Sequence, residues 1–123
     1  MEIDIDETIK DMSDYLVENG ATNVIMLDVE KKTKTAKRLV IATAKSSQFA
    51  KTLALSFKEH FSKQMLCIHS DGLFKGDWIV LDFKDIIVHI FTKDTRNKFN
   101  LEKLYKDSKN FITIPNVRKV VKK

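Results

Sequence analysis

Residues 77–92 constrain the fold more than any other stretch of this chain. They read Asp-Trp-Ile-Val-Leu-Asp-Phe-Lys-Asp-Ile-Ile-Val-His-Ile-Phe-Thr, two apolar runs on either side of Lys84-Asp85. If those two residues form the loop of a β-hairpin, Phe83 opposes Ile86, Leu81 opposes Val88 and Ile79 opposes Ile90. Side chains alternate between the faces of a strand, so these six share one face, and it is wholly apolar. Such a face must be covered by other elements. The opposite face pairs Asp82 with Ile87, Val80 with His89 and Trp78 with Phe91, and is mixed, aromatic and partly charged. Lys84 suits a tight turn poorly, because a positive φ is costly without Gly or Asn.

The rest of the chain supplies the cover. Ile5, Ile9, Met12 and Leu16 recur at helical spacing, and Asn19-Gly20 follows as a helix stop. Asn23–Val29 reads as a strand, Glu30–Thr35 as a polar loop, and Arg38–Ala44 as a second strand antiparallel to the first. Ser46 is placed to cap a second helix carrying Phe49, Leu53 and Phe57 and running to about Lys63. Met65–Ser70 reads as a third strand, and a helix between the second and third strands permits a right-handed parallel crossover. Asp71–Gly76 is the most loop-like stretch. Asn97–Lys106 has the spacing of a short helix, and Pro115 ends any extension of it. The expected class is α/β: a single domain, residues 1–106, with a mixed sheet of about five strands flanked by helices, followed by a tail.

Charge separates the tail from the domain. The net charge is +5, yet residues 1–100 hold 15 basic and 15 acidic side chains, while 101–123 hold 7 basic and 2 acidic. A basic tail from Asp107 onward suggests a polyanion such as RNA, or serves only solubility. With 3 Gly, 1 Pro and 43% hydrophobic residues, collagen, coiled coil and global disorder are excluded. No apolar run is long enough for a membrane helix, and the acidic N-terminus does not resemble a secretory signal. The single cysteine, Cys67, permits no internal disulfide and fits a reducing compartment, so a cytoplasmic location is expected.

Chemistry-bearing motifs are sparse. The chain lacks a G-x-x-x-x-G-K-[ST] loop, G-x-G-x-x-G, C-x-x-C and H-E-x-x-H, so no cofactor or metal is expected. Cys67 and His69 share a strand face, but a buried small hydrophobe explains the cysteine and a helix cap explains Ser46. Asp77, Asp82 and Asp85 could hold Mg²⁺ or be solvated turn acids. His89 reads as a structural histidine rather than a general base, since no nucleophile accompanies it. Trp78, Val80, Ile87 and Phe91, with Asp82 and His89, form either a docking patch or a face covered within the domain.

The run from Gly72 to Phe91, with Gly76-Asp77-Trp78, a strand, an acidic turn and a strand bearing His89, resembles the ribosomal silencing factor family, also called Iojap-like. Arg96, Phe99, Leu101-Glu102, Leu104 and Tyr105 continue the family pattern, and Leu27-Asp28-Val29 and Val40–Ser47 resemble its first half. The resemblance covers about residues 5–106. The chain departs from it at Lys37-Arg38, where the family has an acidic-aromatic pair, and at Ala44 and the Lys84 turn, where it has Gly. The resemblance implies an α/β domain similar to the nucleotidyltransferase fold without its catalytic residues. It implies a non-enzymatic translational repressor that binds protein fourteen of the large ribosomal subunit and sterically blocks joining of the small subunit. Organelle relatives assist large-subunit assembly instead. Contacts are expected at Asp77, Trp78, Asp82, Asp85 and His89, with Glu102 and Tyr105 nearby. The alternatives are a nucleotidyltransferase-like enzyme using the three aspartates with Mg²⁺, and direct RNA binding by the tail. An apolar patch would serve a homodimer as well as a ribosomal partner.

Overall fold

Two strands buried on both faces form the centre of the molecule. In a computed structural model, which describes residues 4–31, 33–104 and 111–113, Arg38–Ala44 (β2) pairs in parallel with Ile86–Thr92 (β5) along the full length of both. Nearly every residue of the two strands is buried, as expected where a parallel pair has layers above and below it. Thr22–Asp28 (β1) adds antiparallel to β2. Trp78–Asp82 (β4) adds antiparallel to β5, and His69–Asp71 (β3) to β4. The five expected strands are present. A sixth, Phe111–Thr113 (β6), pairs antiparallel with β1 and gives the order β3-β4-β5-β2-β1-β6. These three residues come from the stretch read as tail; residues 107–110 and 114–123, and with them the expected RNA contact, lie outside the described residues.

The hairpin register is the one the alternation implies. Ile79 pairs with Ile90, Leu81 with Val88, Trp78 with Phe91 and Val80 with His89. The Phe83 N–H reaches the Ile86 carbonyl at 2.9 Å, which leaves Lys84-Asp85 as the loop. All six residues of the apolar face are buried. Their cover is Ile5–Glu18 (α1) and Ser47–His60 (α2), which bring Ile9, Met12 and Leu16, and Leu53 and Phe57, onto the sheet. Each such side chain, fully removed from water, contributes roughly 1.5–3 kcal/mol. Both helices begin where a cap dictates: the Asp4 carboxylate accepts from Glu7 N at 3.2 Å, and the Ser46 hydroxyl from Phe49 N at 3.0 Å. Tyr15 joins the helices, its ring set edge-on to Phe57 and Phe61 at 5.8 Å each.

Three elements differ from expectation. Helix α2 ends at His60, short of Lys63, with Phe61 as its C-cap. The third strand pairs only over His69–Asp71, because it is the sheet's outer edge; Leu66 and Ile68 ahead of it are 75% and 57% exposed. The helix expected from Asn97 begins earlier, at Lys93, and breaks at Asn100 into Lys93–Phe99 (α3) and Leu101–Leu104 (α4). Asn100 is the break because Asn tolerates the left-handed conformation (φ 43°) that closes α3, and its side chain then accepts from Lys103 N at 3.2 Å to start α4.

Helix α3 lies on the second face and is fastened there by a buried arginine. Arg96 donates to the Asn23 carbonyl and, at 2.8 Å, to the Thr43 hydroxyl. Asn23 has φ 48° and sits where the β1–β2 register shifts between Thr22 and Ile25. One guanidinium thus joins α3, the irregular start of β1 and the end of β2. Replacing it leaves partly buried acceptors without a donor, so Arg96→Met is expected to destabilise the fold by about 2–4 kcal/mol in urea unfolding, against about 1 kcal/mol for Thr43→Val.

Candidate functional site

The described residues cover the second face of the sheet only in part. Ile25, Leu27, Leu39, Ile41, Ile87 and Phe91 form a second buried cluster, with Trp78, Val80 and Leu101 packed half-buried on it. Along this face runs a trough of three hollows. The first, about 290 Å³, lies beside Trp78 and Phe99 with Lys75, Asp77 and Lys98 on its rim. The second, about 230 Å³, is floored by Val80, Ile87 and His89 and walled by Leu101 and the 33–36 loop. The third, about 370 Å³, opens between that loop and the Lys84-Asp85 turn.

Trp78 and His89 form the centre of the site. They are diagonal neighbours across the β4–β5 ladder, close enough for long side chains to meet. The Trp78 indole N–H donates to His89 Nδ1 at 2.9 Å. Indole nitrogen is only a donor, so Nδ1 is the unprotonated nitrogen and the imidazole proton resides on Nε2. Trp78 also stacks on Phe91 at 5.0 Å and leans on Phe99 at 4.7 Å. Phe99 is 47% exposed, so the aromatic group extends from the core to the surface. Burial pushes the His89 pKa down from 6.5 to about 4, because the charged imidazolium is poorly solvated there. His89 is therefore neutral at pH 7, with one lone pair already engaged.

Gly72 holds Trp78 in place from behind. Its φ is +83°, and a Cβ there would lie 2.0 Å from the Trp78 carbonyl oxygen, so only glycine lets the loop after β3 close against the start of β4.

The carboxylates do not assemble. Asp77 pairs with Lys75 at 3.6 Å. Asp82, at the far end of β4, accepts from Lys84 N at 2.7 Å and shapes the turn. Asp85 uses its carbonyl to accept from Lys37 N and Arg38 N at 2.8 and 3.1 Å. Among the described residues, no group of three or more His, Cys, Asp or Glu is placed to hold a metal ion. Cys67 directs its thiol at the His69 carbonyl, 3.3 Å away, rather than toward an imidazole nitrogen. The Glu102 side chain and all of Tyr105 lie outside the described residues. Phe99 and Lys98, which complete the hollow beside Trp78, were not singled out as contacts by their residue types. The clue was the aromatic three residues after Arg96.

A family model described as "Ribosomal silencing factor during starvation" matches residues 2–123 of the chain. The chain is 28% identical over 89 residues to "Ribosomal silencing factor RsfS" of Bacillus subtilis, covering 72% of this chain and 75% of that one. It is 29% identical over 85 residues to "Protein Iojap, chloroplastic" of Zea mays, covering 69% of this chain and 37% of the maize protein. A crystal structure of a Chromobacterium violaceum protein superposes with a TM-score of 0.77 at 27% identity, covering 86% of this chain and 88% of that one.

The neutral, buried His89 carries a pH signature. Above pH 6.5 neither the folded nor the unfolded chain holds the extra proton; between 6.5 and about 4 only the unfolded chain does; below that both do. The contribution is therefore complete above the unfolded value, declines as pH falls through this window, and levels off below it. At 1.36 kcal/mol per unit it amounts to about 3 kcal/mol. Urea unfolding at pH 7 and pH 4.5 should show a smaller loss for His89→Gln than for the parent chain. Equal losses would mean that His89 is not held neutral.

Proposed function

Because the chain belongs to the ribosomal silencing factor family, we propose that it represses translation by occupying the large ribosomal subunit and blocking its union with the small one. The partner on that subunit is its protein fourteen. The observation that supports this reading is the partly open aromatic trough on the second face, where Trp78 and Phe99 reach the surface from a rigid, hydrogen-bonded base. A buried aromatic anchor beside a shallow apolar hollow is what a protein–protein hot spot requires, and tryptophan is prominent among such anchors. Steric exclusion needs an occupied surface and no turnover. The chemistry on this face agrees with binding alone: the His89 lone pair facing Trp78 is already engaged, and the aspartates are dispersed among lysine and backbone partners.

Within this reading Trp78 is the anchor, and Val80 and His89 form the floor on which a partner side chain rests. Asp77 and Asp85 lie at opposite ends of the trough and set register rather than supplying most of the affinity. The family is named for silencing and not for a catalysed reaction, and we read the chain as non-enzymatic, free of cofactor and cytoplasmic. Among the described residues, no helix is long and apolar enough to cross a membrane.

Co-sedimentation with free large subunits on a sucrose gradient, followed by light scattering of subunit joining, tests the proposal. The chain should travel with large subunits and slow their joining. Trp78→Ala should weaken binding by about 2 kcal/mol, or roughly thirtyfold. Since Trp78 also supports His89, a thermal melt accompanies the assay, and Asp77→Asn serves as a surface control with a small effect. A folded Trp78→Ala chain that binds as tightly as its parent would remove Trp78 from the interface.

A further inference from the structure

Lys84 occupies a position its residue type disfavours. Its φ is +82°, inside a turn closed by Asp85 N–H donating to the Phe83 carbonyl at 3.1 Å. Turns of three residues with a positive central φ are strained, and glycine would adopt this one freely. The turn is also braced from outside: the Asp85 carbonyl accepts both Lys37 N and Arg38 N, which ties the hairpin tip to the end of the β1–β2 loop. That brace brings Lys34, Lys37 and Lys84 around one hollow, with Thr33 and Thr35 beside them.

Nearby, Arg38 is shared by three acids, 3.3 Å from Asp28 and 3.4 Å from both Glu30 and Asp6, and the Asp82 carboxylate is held by the Lys84 backbone N–H. Lys34, Lys37 and Lys84 form no ion pair among the described residues. Glu30 and Asp85 are the carboxylates on the rim, against three lysines, so the lining keeps a positive excess of one. It contains no large apolar side chain to anchor a peptide. Its recognition groups are ammonium, hydroxyl and backbone groups, which together suit phosphate oxygens.

We propose that the Lys34–Lys37–Lys84 hollow grips the phosphodiester backbone of ribosomal RNA beside the protein that the Trp78 face docks on. The inference deepens the proposed function and rests on it. Thr33, Thr35 and Ala36 line both this hollow and the one floored by His89, so a single approach engages protein and RNA together. The strained lysine then supplies charge at the expense of an easier turn.

Lys84→Gly separates binding from folding, because it should move the two in opposite directions. Its thermal midpoint should hold or rise. Its affinity for purified large subunits should fall about threefold to fivefold at low salt, with the difference closing at high salt. The triple variant Lys34→Gln, Lys37→Gln, Lys84→Gly should lower the slope of log affinity against log salt by about 2–3, since each phosphate contact contributes a little under one. Trp78→Ala should lose affinity with the slope unchanged. The same proteins are titrated against a protein-free duplex of ribosomal RNA and against phosphatidylglycerol vesicles. A triple variant with the parent slope on both subunits and RNA overturns the inference, as does lysine-dependent capture by vesicles but not by RNA. A parent chain that binds the RNA with a lysine-dependent slope but ignores large subunits overturns the docking reading and leaves phosphate recognition standing.

Discussion

The parallel pairing of β2 with β5 governs the architecture. A parallel pair cannot be closed by a tight turn, so the chain must leave β2, cross the first face as α2, and build β3 and β4 before β5 returns beside β2. The crossover covers one face with helix and also creates the hairpin whose outer residues line the other. Both central strands then need cover on the second face. The chain provides it with short pieces: α3, α4 and the loop after β1. These leave the trough open. Among the described residues, the candidate site is thus a by-product of a second layer built from short pieces.

Arg96 shows what a short cover requires. A seven-residue helix cannot bury enough apolar surface to hold itself against a sheet. Its main attachment is instead a cation that satisfies a backbone carbonyl and a hydroxyl on two different strands. The Phe99 ring, three residues on, is positioned by the same attachment and leans on Trp78. A polar staple within the structure therefore sets the shape of an aromatic surface, and the two should respond together to substitution.

The hairpin was legible in the sequence because period-two alternation with an apolar face admits few registers, and Ile79, Leu81, Phe83, Ile86, Val88 and Ile90 all took the buried side. The amphipathic stripes of α1 and α2 were legible for the corresponding helical reason. The start of α3 was not, because Thr92 both ends β5 and holds the position ahead of the helix, with no intervening loop. The short third strand was overread because apolar residues at a sheet edge look the same in sequence as buried ones. The burial of Arg96 left no trace in residue pattern, since an arginine among lysines reads as a solvated face. At the site, Trp78 and His89 were visible as types, whereas their hydrogen bond depended on a diagonal relation that only a settled register defines.

That hydrogen bond has a practical consequence. Trp78 is the only tryptophan in the chain. Its indole sits on the trough, half in and half out, with its N–H engaged by an imidazole. All tryptophan emission from this protein therefore originates at the proposed docking face, and the indole proton is a single resolved magnetic-resonance signal shifted by its partner. The molecule reports the occupancy of its own surface without a label.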